Sequence, residues 1–125
     1  MLKAVALVVA LQLAQAQATD GLIHITCTYP AENYGWVTLP PMNQQLIVNP
    51  ATDIVWSSRG CDSSGVSVPG HIDQGTISFV VTCPDSSKTW TRKSVLDRYT
   101  GTIVESEEGG PRLTGQCVAA QKQLF

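Results

Sequence analysis

The sequence predicts an all-β fold, either a small antiparallel β-barrel or a strongly curved sheet, closed by two disulfides. Apolar and polar residues alternate with period two in several short runs, and Gly- and Pro-rich turns separate these runs. No 3.6-residue apolar period follows the N-terminal segment, so almost no helix is expected. Roughly seven short strands of this kind are typical of barrels and sandwiches, and an immunoglobulin-like sandwich is the alternative.

Residues 1–18 have the pattern of a secretory signal peptide. Lys3 provides a positive start, residues 4–13 are almost entirely apolar, and Ala16-Gln17-Ala18 is a small-x-small cleavage site. The apolar run is too short to span a bilayer, and no later segment is apolar enough to do so. Residues 19–125 are therefore expected to be one all-β domain with a short C-terminal tail, secreted or periplasmic after cleavage near Ala18.

The four cysteines of an exported chain indicate two disulfides, for which three pairings exist. We favour Cys27–Cys117, because both residues lie in the inward phase of a predicted strand. Cys61–Cys83 is then the second pair. A metal site is not expected, since the chain has no CxxC pair and its two histidines are far apart, and no cofactor motif is present.

Turn residues divide the chain into its expected elements. Residues 30–42 are expected as a loop because they contain three Pro and one Gly, and residues 59–75 because they are rich in Gly and Ser. Residues 105–111 are expected as a solvated connection, because they are acidic and rich in Gly and Pro. Strands are expected at residues 22–29, 44–48, 52–57, 76–83 and 88–96 and in two arms of a C-terminal hairpin.

The C-terminal hairpin turns at Asp97-Arg98-Tyr99-Thr100-Gly101, where Gly101 can adopt positive φ. With Leu113-Thr114-Gly115-Gln116-Cys117, it resembles the C-terminal pattern of small exported bacterial β-barrel proteins of unknown function. In those proteins an aliphatic-Asp-Arg-x-Thr-Gly hairpin precedes Gly-x-Cys. The size, the export signal and the terminal cysteines are also distantly similar to periplasmic inhibitors of c-type lysozyme. The resemblance implies a barrel fold rather than an activity.

No catalytic set is recognisable, because His24 and His71 are isolated and no nucleophile motif is present, so the protein is not expected to be an enzyme. The net charge is −2 and the basic residues are dispersed, which argues against nucleic acid and anionic membranes as partners. The expected function is binding of another envelope or extracellular protein, inhibition being one form of it. The alternative is a lipocalin-like carrier of a small apolar ligand among Trp36, Trp56 and Trp90, which are otherwise expected as core or barrel plugs.

The predicted binding surface is the segment of residues 62–70, which is long, rich in small residues and tethered at Cys61. A tether reduces the ordering entropy lost on docking. Arg98 is a second candidate, because a guanidinium can dock a carboxylate of a partner. The competing interpretations are a flexible insertion for the segment and a local salt bridge for the arginine. The candidate binding residues are Asp62, Ser63, Ser64, Gly65 and Arg98.

Overall fold

The computed structural model describes residues 21–33, 35–62, 64–85, 88–108, 110 and 112–119. Within these ranges the chain forms ten β-strands and no helix. The predicted signal peptide lies outside the described residues, as does most of the C-terminal tail. The strands are β1 Ile23–Tyr29, β2 Glu32–Asn33, β3 Thr38–Leu39, β4 Met42–Asn49, β5 Ile54–Ser57, β6 Val66–Ile72, β7 Thr76–Asp85, β8 Lys88–Asp97, β9 Thr102–Glu107 and β10 Arg112–Ala119.

Eight of these strands form one closed antiparallel barrel, in the order β1-β10-β9-β8-β7-β6-β5-β4. The barrel closes where β4 pairs with β1, with Ile23 opposite Val48 and Tyr29 opposite Met42. The predicted barrel is thus confirmed. The sandwich alternative is wrong, because a sheet that closes on itself leaves no second sheet to pack against. Strands β2 and β3 form a separate small hairpin.

The pairing registers define two ends of the barrel. We call one end the upper end; it holds the connections β5–β6, β7–β8 and β9–β10. The segment between β1 and β4, which contains the β2–β3 hairpin, is also at the upper end. At the lower end lie the connections β4–β5, β6–β7 and β8–β9. Any two sites can therefore be assigned to the same end or to opposite ends from the strand order alone.

The lower half of the barrel interior is apolar. Ile23 and Ile25 are buried in β1, in the same phase as Cys27, and Ile77 and Phe79 are buried in β7. Each fully buried aliphatic or aromatic side chain contributes about 1.5–3 kcal/mol of transfer free energy. The other buried apolar residues of this half are Leu46, Val48, Val55, Leu96 and Ile103.

Both predicted disulfides are confirmed. Cys27 and Cys117 are direct register partners on β1 and β10, and their bond spans 90 positions of the chain. Cys61 joins the β5–β6 connection to Cys83 on β7 across 22 positions. Chain-entropy estimates for these loops are about 4.6 and about 3.4 kcal/mol, so the bonds hold a barrel of this size together and fix one of its upper loops.

Two expected loops contain strands. β6 lies within residues 59–75. Despite its Pro and Gly residues it forms a strand, because its backbone pairs with β5 on one side and with β7 on the other. Gly70 fits there for lack of a side chain, since a Cβ would lie 2.7 Å from Cγ2 of Val55. The β2–β3 hairpin lies within the other expected loop, residues 30–42.

The turn of the C-terminal hairpin forms as predicted. Gly101 has a φ of 77°, and its N–H donates to the carbonyl of Asp97 at 2.8 Å. A Cβ at position 101 would lie 2.7 Å from the carbonyl oxygen of Cys117. Glycine is therefore required here both by the backbone angle and by the close approach of β10.

Candidate functional site

The β2–β3 hairpin holds the most exposed large apolar side chain among the described residues. Trp36 lies in the connection between the two short strands, and it is 87% exposed. The connection is shaped by Asn33, whose Oδ1 accepts the N–H of Gly35 at 2.8 Å, and by the positive φ of Gly35. The expectation that all three tryptophans are core or barrel plugs is thus wrong for Trp36.

The other two tryptophans lie on different sides of the barrel wall. Trp56 lies between the buried residues Val55 and Ser57 on β5, so its half-buried side chain is on the outer face. Trp90 is in the inward phase of β8 near the upper end, and the guanidinium of Arg92 lies 5.9 Å from its ring centre. The three rings therefore do not line one common cavity.

The described residues of the loop 60–65 make several local contacts. The N–H of Gly60 donates to the carbonyl of Ser64 at 2.9 Å, and the N–H of Ser64 donates to Oδ1 of Asp62 at 2.7 Å. The latter bond holds the pKa of the Asp62 carboxyl below its usual value. Gly65 lies against the ring of Trp56, where a Cβ would be 2.4 Å from Cζ2. Of the candidate residues, Ser63 is outside the described residues.

Arg98 lies at the opposite end of the barrel from this loop. It belongs to the β8–β9 connection at the lower end. Its Nη1 donates to the carbonyl oxygen of Asp73 at 2.7 Å, and its backbone N–H donates to the carbonyl oxygen of Gly75 at 2.9 Å. The guanidinium thus ties two lower turns together. The structure brings Asp62, Ser64 and Gly65 into one loop and separates Arg98 from them.

A polar cluster that the sequence analysis missed lies in the upper half of the barrel interior. Glu105 is 1% exposed and lies within β9, so its assignment to a solvated connection is wrong. The sequence does contain a signal for this burial. Glu105 lies two residues after the inward-facing Ile103, and residues two apart on a strand point to the same face. The interior polar cluster consists of Tyr29, Gln44, Ser57, Arg59, Arg92 and Glu105.

Glu105 is the centre of this cluster. Nη1 of Arg59 donates to its Oε1 at 2.6 Å and also to its Oε2. The hydroxyl of Tyr29 donates to Oε1 of Gln44 at 2.8 Å and lies 3.5 Å from Oε2 of Glu105. Nε2 of Gln44 donates in turn to Oγ of Ser57 at 2.8 Å. Buried polar groups on four strands and one loop are thereby satisfied by one another.

Arg92 adds a second guanidinium to the cluster. Its Nη2 donates to the carbonyl oxygen of Arg59, and its Nε lies 3.8 Å from Oε1 of Glu105. Among the described residues this Nε is buried without a hydrogen-bond partner. Burial lowers the pKa of Arg92, and the negative charge of Glu105 opposes that change. Burial, together with the same carboxylate, raises the pKa of Tyr29 well above its ordinary value.

The interior polar cluster positions the upper loop. Arg59 lies two residues before Cys61, and its guanidinium is held inside the barrel by Glu105 and lies 5.8 Å from the ring centre of Tyr29. The loop of residues 60–65 is therefore anchored at its base by this ion pair and by the disulfide from Cys61 to Cys83, a buried residue of β7. Gln44 and Glu105 are 0% and 1% exposed, so these two side chains are not accessible from solution in this conformation.

No family profile, curated protein or solved structure matches this chain. The resemblance of the C-terminal hairpin to exported bacterial barrels therefore stays a prediction. The described residues contain no group of three or more His, Cys, Asp and Glu side chains able to hold a metal ion. They also form no helix long and apolar enough to cross a membrane.

Proposed function

We propose that this protein is exported and non-enzymatic, and that it binds another envelope or extracellular protein through the upper end of its barrel. The observation that carries the proposal is the 87% exposure of Trp36 on a hairpin outside the barrel. Tryptophan is enriched among the residues that dominate binding energy at protein interfaces. Exposed at the tip of a shaped hairpin, Trp36 contributes no packing to the barrel and is available to a partner.

Burial of Trp36 by a partner would contribute a large favourable free energy of binding. Burial of a tryptophan side chain removes roughly 200 Å² from water, which corresponds to about 5 kcal/mol before the cost of association. The hydrogen bond from Gly35 to Asn33 holds the connection in a turn before any partner binds. Such preorganisation reduces the entropy lost on docking.

The loop of residues 60–65 supports the same surface. It lies at the upper end with the β2–β3 hairpin, and its base is held by Arg59 and Cys61. Asp62 and Ser64 are exposed, and they offer a carboxylate and a hydroxyl to a partner. In this proposal the loop forms the polar rim around the tryptophan, and Arg98 at the lower end takes no part.

The packing of the interior argues against the lipocalin-like carrier. The upper half contains the polar cluster, in which Gln44, Ser57 and Glu105 are at most 1% exposed, together with buried apolar residues such as Val81. The lower half is filled by apolar side chains. Side chains with so little accessible surface leave no space beside them for a water-sized probe. A ligand would have to displace the ion pair between Arg59 and Glu105, which costs several kcal/mol.

Site-specific photo-crosslinking tests the proposed surface. A benzophenone amino acid replaces Thr38, an exposed residue of β3, in one bait, so that Trp36 is kept, and it replaces Tyr99 in another, because Tyr99 is 53% exposed but lies at the lower end. Irradiation in envelope or extracellular extracts is expected to give a discrete crosslinked partner from position 38 and none from position 99. The same partner from both positions, or only from position 99, would overturn the proposed surface.

A further inference from the structure

A groove of about 500 Å³ runs along the outer wall of the barrel, over β8 and β9. It lies between the two ends, so it is separate from the surface proposed above. Its volume is within the range of small-molecule sites, about 300–1,000 Å³. The residues that line it are Thr76, Lys93, Val95, Asp97, Thr102, Val104, Ser106 and Arg112.

The upper part of the groove is cationic. Lys93 is the register partner of Ser106, and Ser106 is the register partner of Arg112, so the three side chains form one row across β8, β9 and β10. Neighbouring strands are about 4.8 Å apart, which places the two cations within reach of one anionic group above the serine. A carboxylate at this position accepts hydrogen bonds from an ammonium, a hydroxyl and a guanidinium.

The next row along the strands is apolar. Val95 and Val104 are register partners on the outer face, and they form the floor in the middle of the groove. The lower part is polar, with Asp97 and Thr102. Four residues of a strand separate Lys93 from Asp97, a distance of about 13 Å. The groove therefore offers a cationic end, an apolar middle and an end that carries a negative charge.

We propose that this groove binds a medium-chain aliphatic monocarboxylic acid of about the length of octanoate. The carboxylate lies between Lys93 and Arg112 over Ser106, and the alkyl chain covers Val95 and Val104. The charge of Asp97 excludes a second carboxylate at the far end. A peptide fits this wall less well, because a barrel strand with neighbours on both sides has no free edge to pair with an extended chain.

Binding is measured on the oxidised protein by amide chemical shifts, with octanoate as the probe. Saturable shifts are expected for residues on β8 and β9, with affinity at least about tenfold weaker for octanol, which lacks the charge-assisted hydrogen bonds. Suberate, which has a carboxylate at each end, is expected to bind less tightly than octanoate. If acetate or inorganic phosphate shifts the same residues with equal affinity, the site binds anions alone and the proposed ligand class is wrong.

Variants locate the binding site. Lys93→Gln and Arg112→Gln are each expected to weaken octanoate binding about tenfold, whereas Arg98→Gln at the lower end leaves it unchanged. Asp97→Asn retains the side-chain oxygen that accepts the N–H groups of Tyr99 and Thr100, and it is expected to improve suberate binding. Circular dichroism verifies that each variant is folded. Unchanged octanoate affinity in folded Lys93→Gln and Arg112→Gln variants, or no saturable shift in the parent, refutes the proposal.

Discussion

Replacement of Glu105 by glutamine tests the role of the interior polar cluster. The carboxylate accepts hydrogen bonds from Arg59 and lies 3.8 Å from Nε of Arg92. Glutamine has nearly the same shape, but it removes the negative charge and presents an NH₂ group to one of the guanidiniums. The variant therefore keeps the packing of the barrel and leaves the buried guanidinium of Arg92 without its nearest counter-charge.

The expected magnitude follows from the burial of both partners. The side chains of Arg92 and Glu105 are 4% and 1% exposed, so solvent does not screen the loss. Loss of one partner of a buried ion pair costs about 3–5 kcal/mol of unfolding free energy, because the remaining charge stays desolvated. Glu107 provides a matched control, since it lies two residues away on the same strand and is only half-buried. Glu107→Gln is expected to cost less than about 1 kcal/mol.

Urea unfolding of the oxidised protein, followed by tryptophan fluorescence, measures both variants. For slopes of about 1–3 kcal/mol per molar urea, Glu105→Gln is expected to lower the midpoint by more than about 1 M. A double-mutant cycle with Arg59→Gln is expected to give a coupling energy of about 1–3 kcal/mol. Equal destabilisation by Glu105→Gln and Glu107→Gln would show that the buried charge does not stabilise the barrel, and would refute this reasoning.

Two further predictions concern Tyr29 on β1 and Gly115 on β10. Burial raises the pKa of Tyr29 in the folded state above its unfolded pKa of about 10. The stability that the protonated Tyr29 contributes is therefore complete below about pH 10 and is lost as the pH rises toward the folded-state pKa. In urea titrations above about pH 10, Tyr29→Phe should thus lose less stability than the parent. Equal alkaline losses would contradict this. Gly115→Ala places a Cβ 2.8 Å from the carbonyl oxygen of Thr28 and is expected to cost about 1–3 kcal/mol of unfolding free energy. Gly75→Ala should cost less, because its Cβ would approach nothing closer than the exposed ring of Tyr99, at 3.3 Å. Equal melting temperatures for the two glycine variants would contradict the steric argument.

The fold could be predicted where local patterns determine it. The alternation in β1 placed Cys27 inward, and that in β10 placed Cys117 inward, so their pairing followed from two short segments 90 positions apart. The turn before Gly101 was recognisable because Asp and Gly have conformational preferences that are independent of the rest of the fold. Such features are encoded within about ten residues of sequence, and the structure confirms them.

The cluster around Glu105 could not be predicted in this way. Glu105 precedes an acidic Gly-rich segment, and an acidic residue beside a turn is normally solvated. Its counter-charges come from Arg59 and Arg92, which are distant in sequence and approach it only when the barrel closes. The same holds for β6, because its Pro and Gly residues predict a loop until pairing with β5 and β7 is known.

The candidate site was predicted in part. The tether at Cys61 identified the segment of residues 62–70, of which the structure keeps the first part in the upper loop, whereas residues 66–70 belong to β6. Trp36 was not chosen, because tryptophan in a small protein is more often buried than exposed. Only the folded chain shows that the hairpin lies outside the barrel and leaves this side chain in solvent.

The affinity of a Trp36→Ala variant for the partner crosslinked at position 38 tests the central claim most directly. Calorimetry is expected to show at least about thirtyfold weaker binding, equivalent to about 2 kcal/mol or more, while Tyr99→Ala stays within about threefold of the parent. Both variants change exposed side chains, so their urea midpoints should match that of the parent. An unchanged affinity for folded Trp36→Ala would contradict the assignment of the upper end as the binding surface.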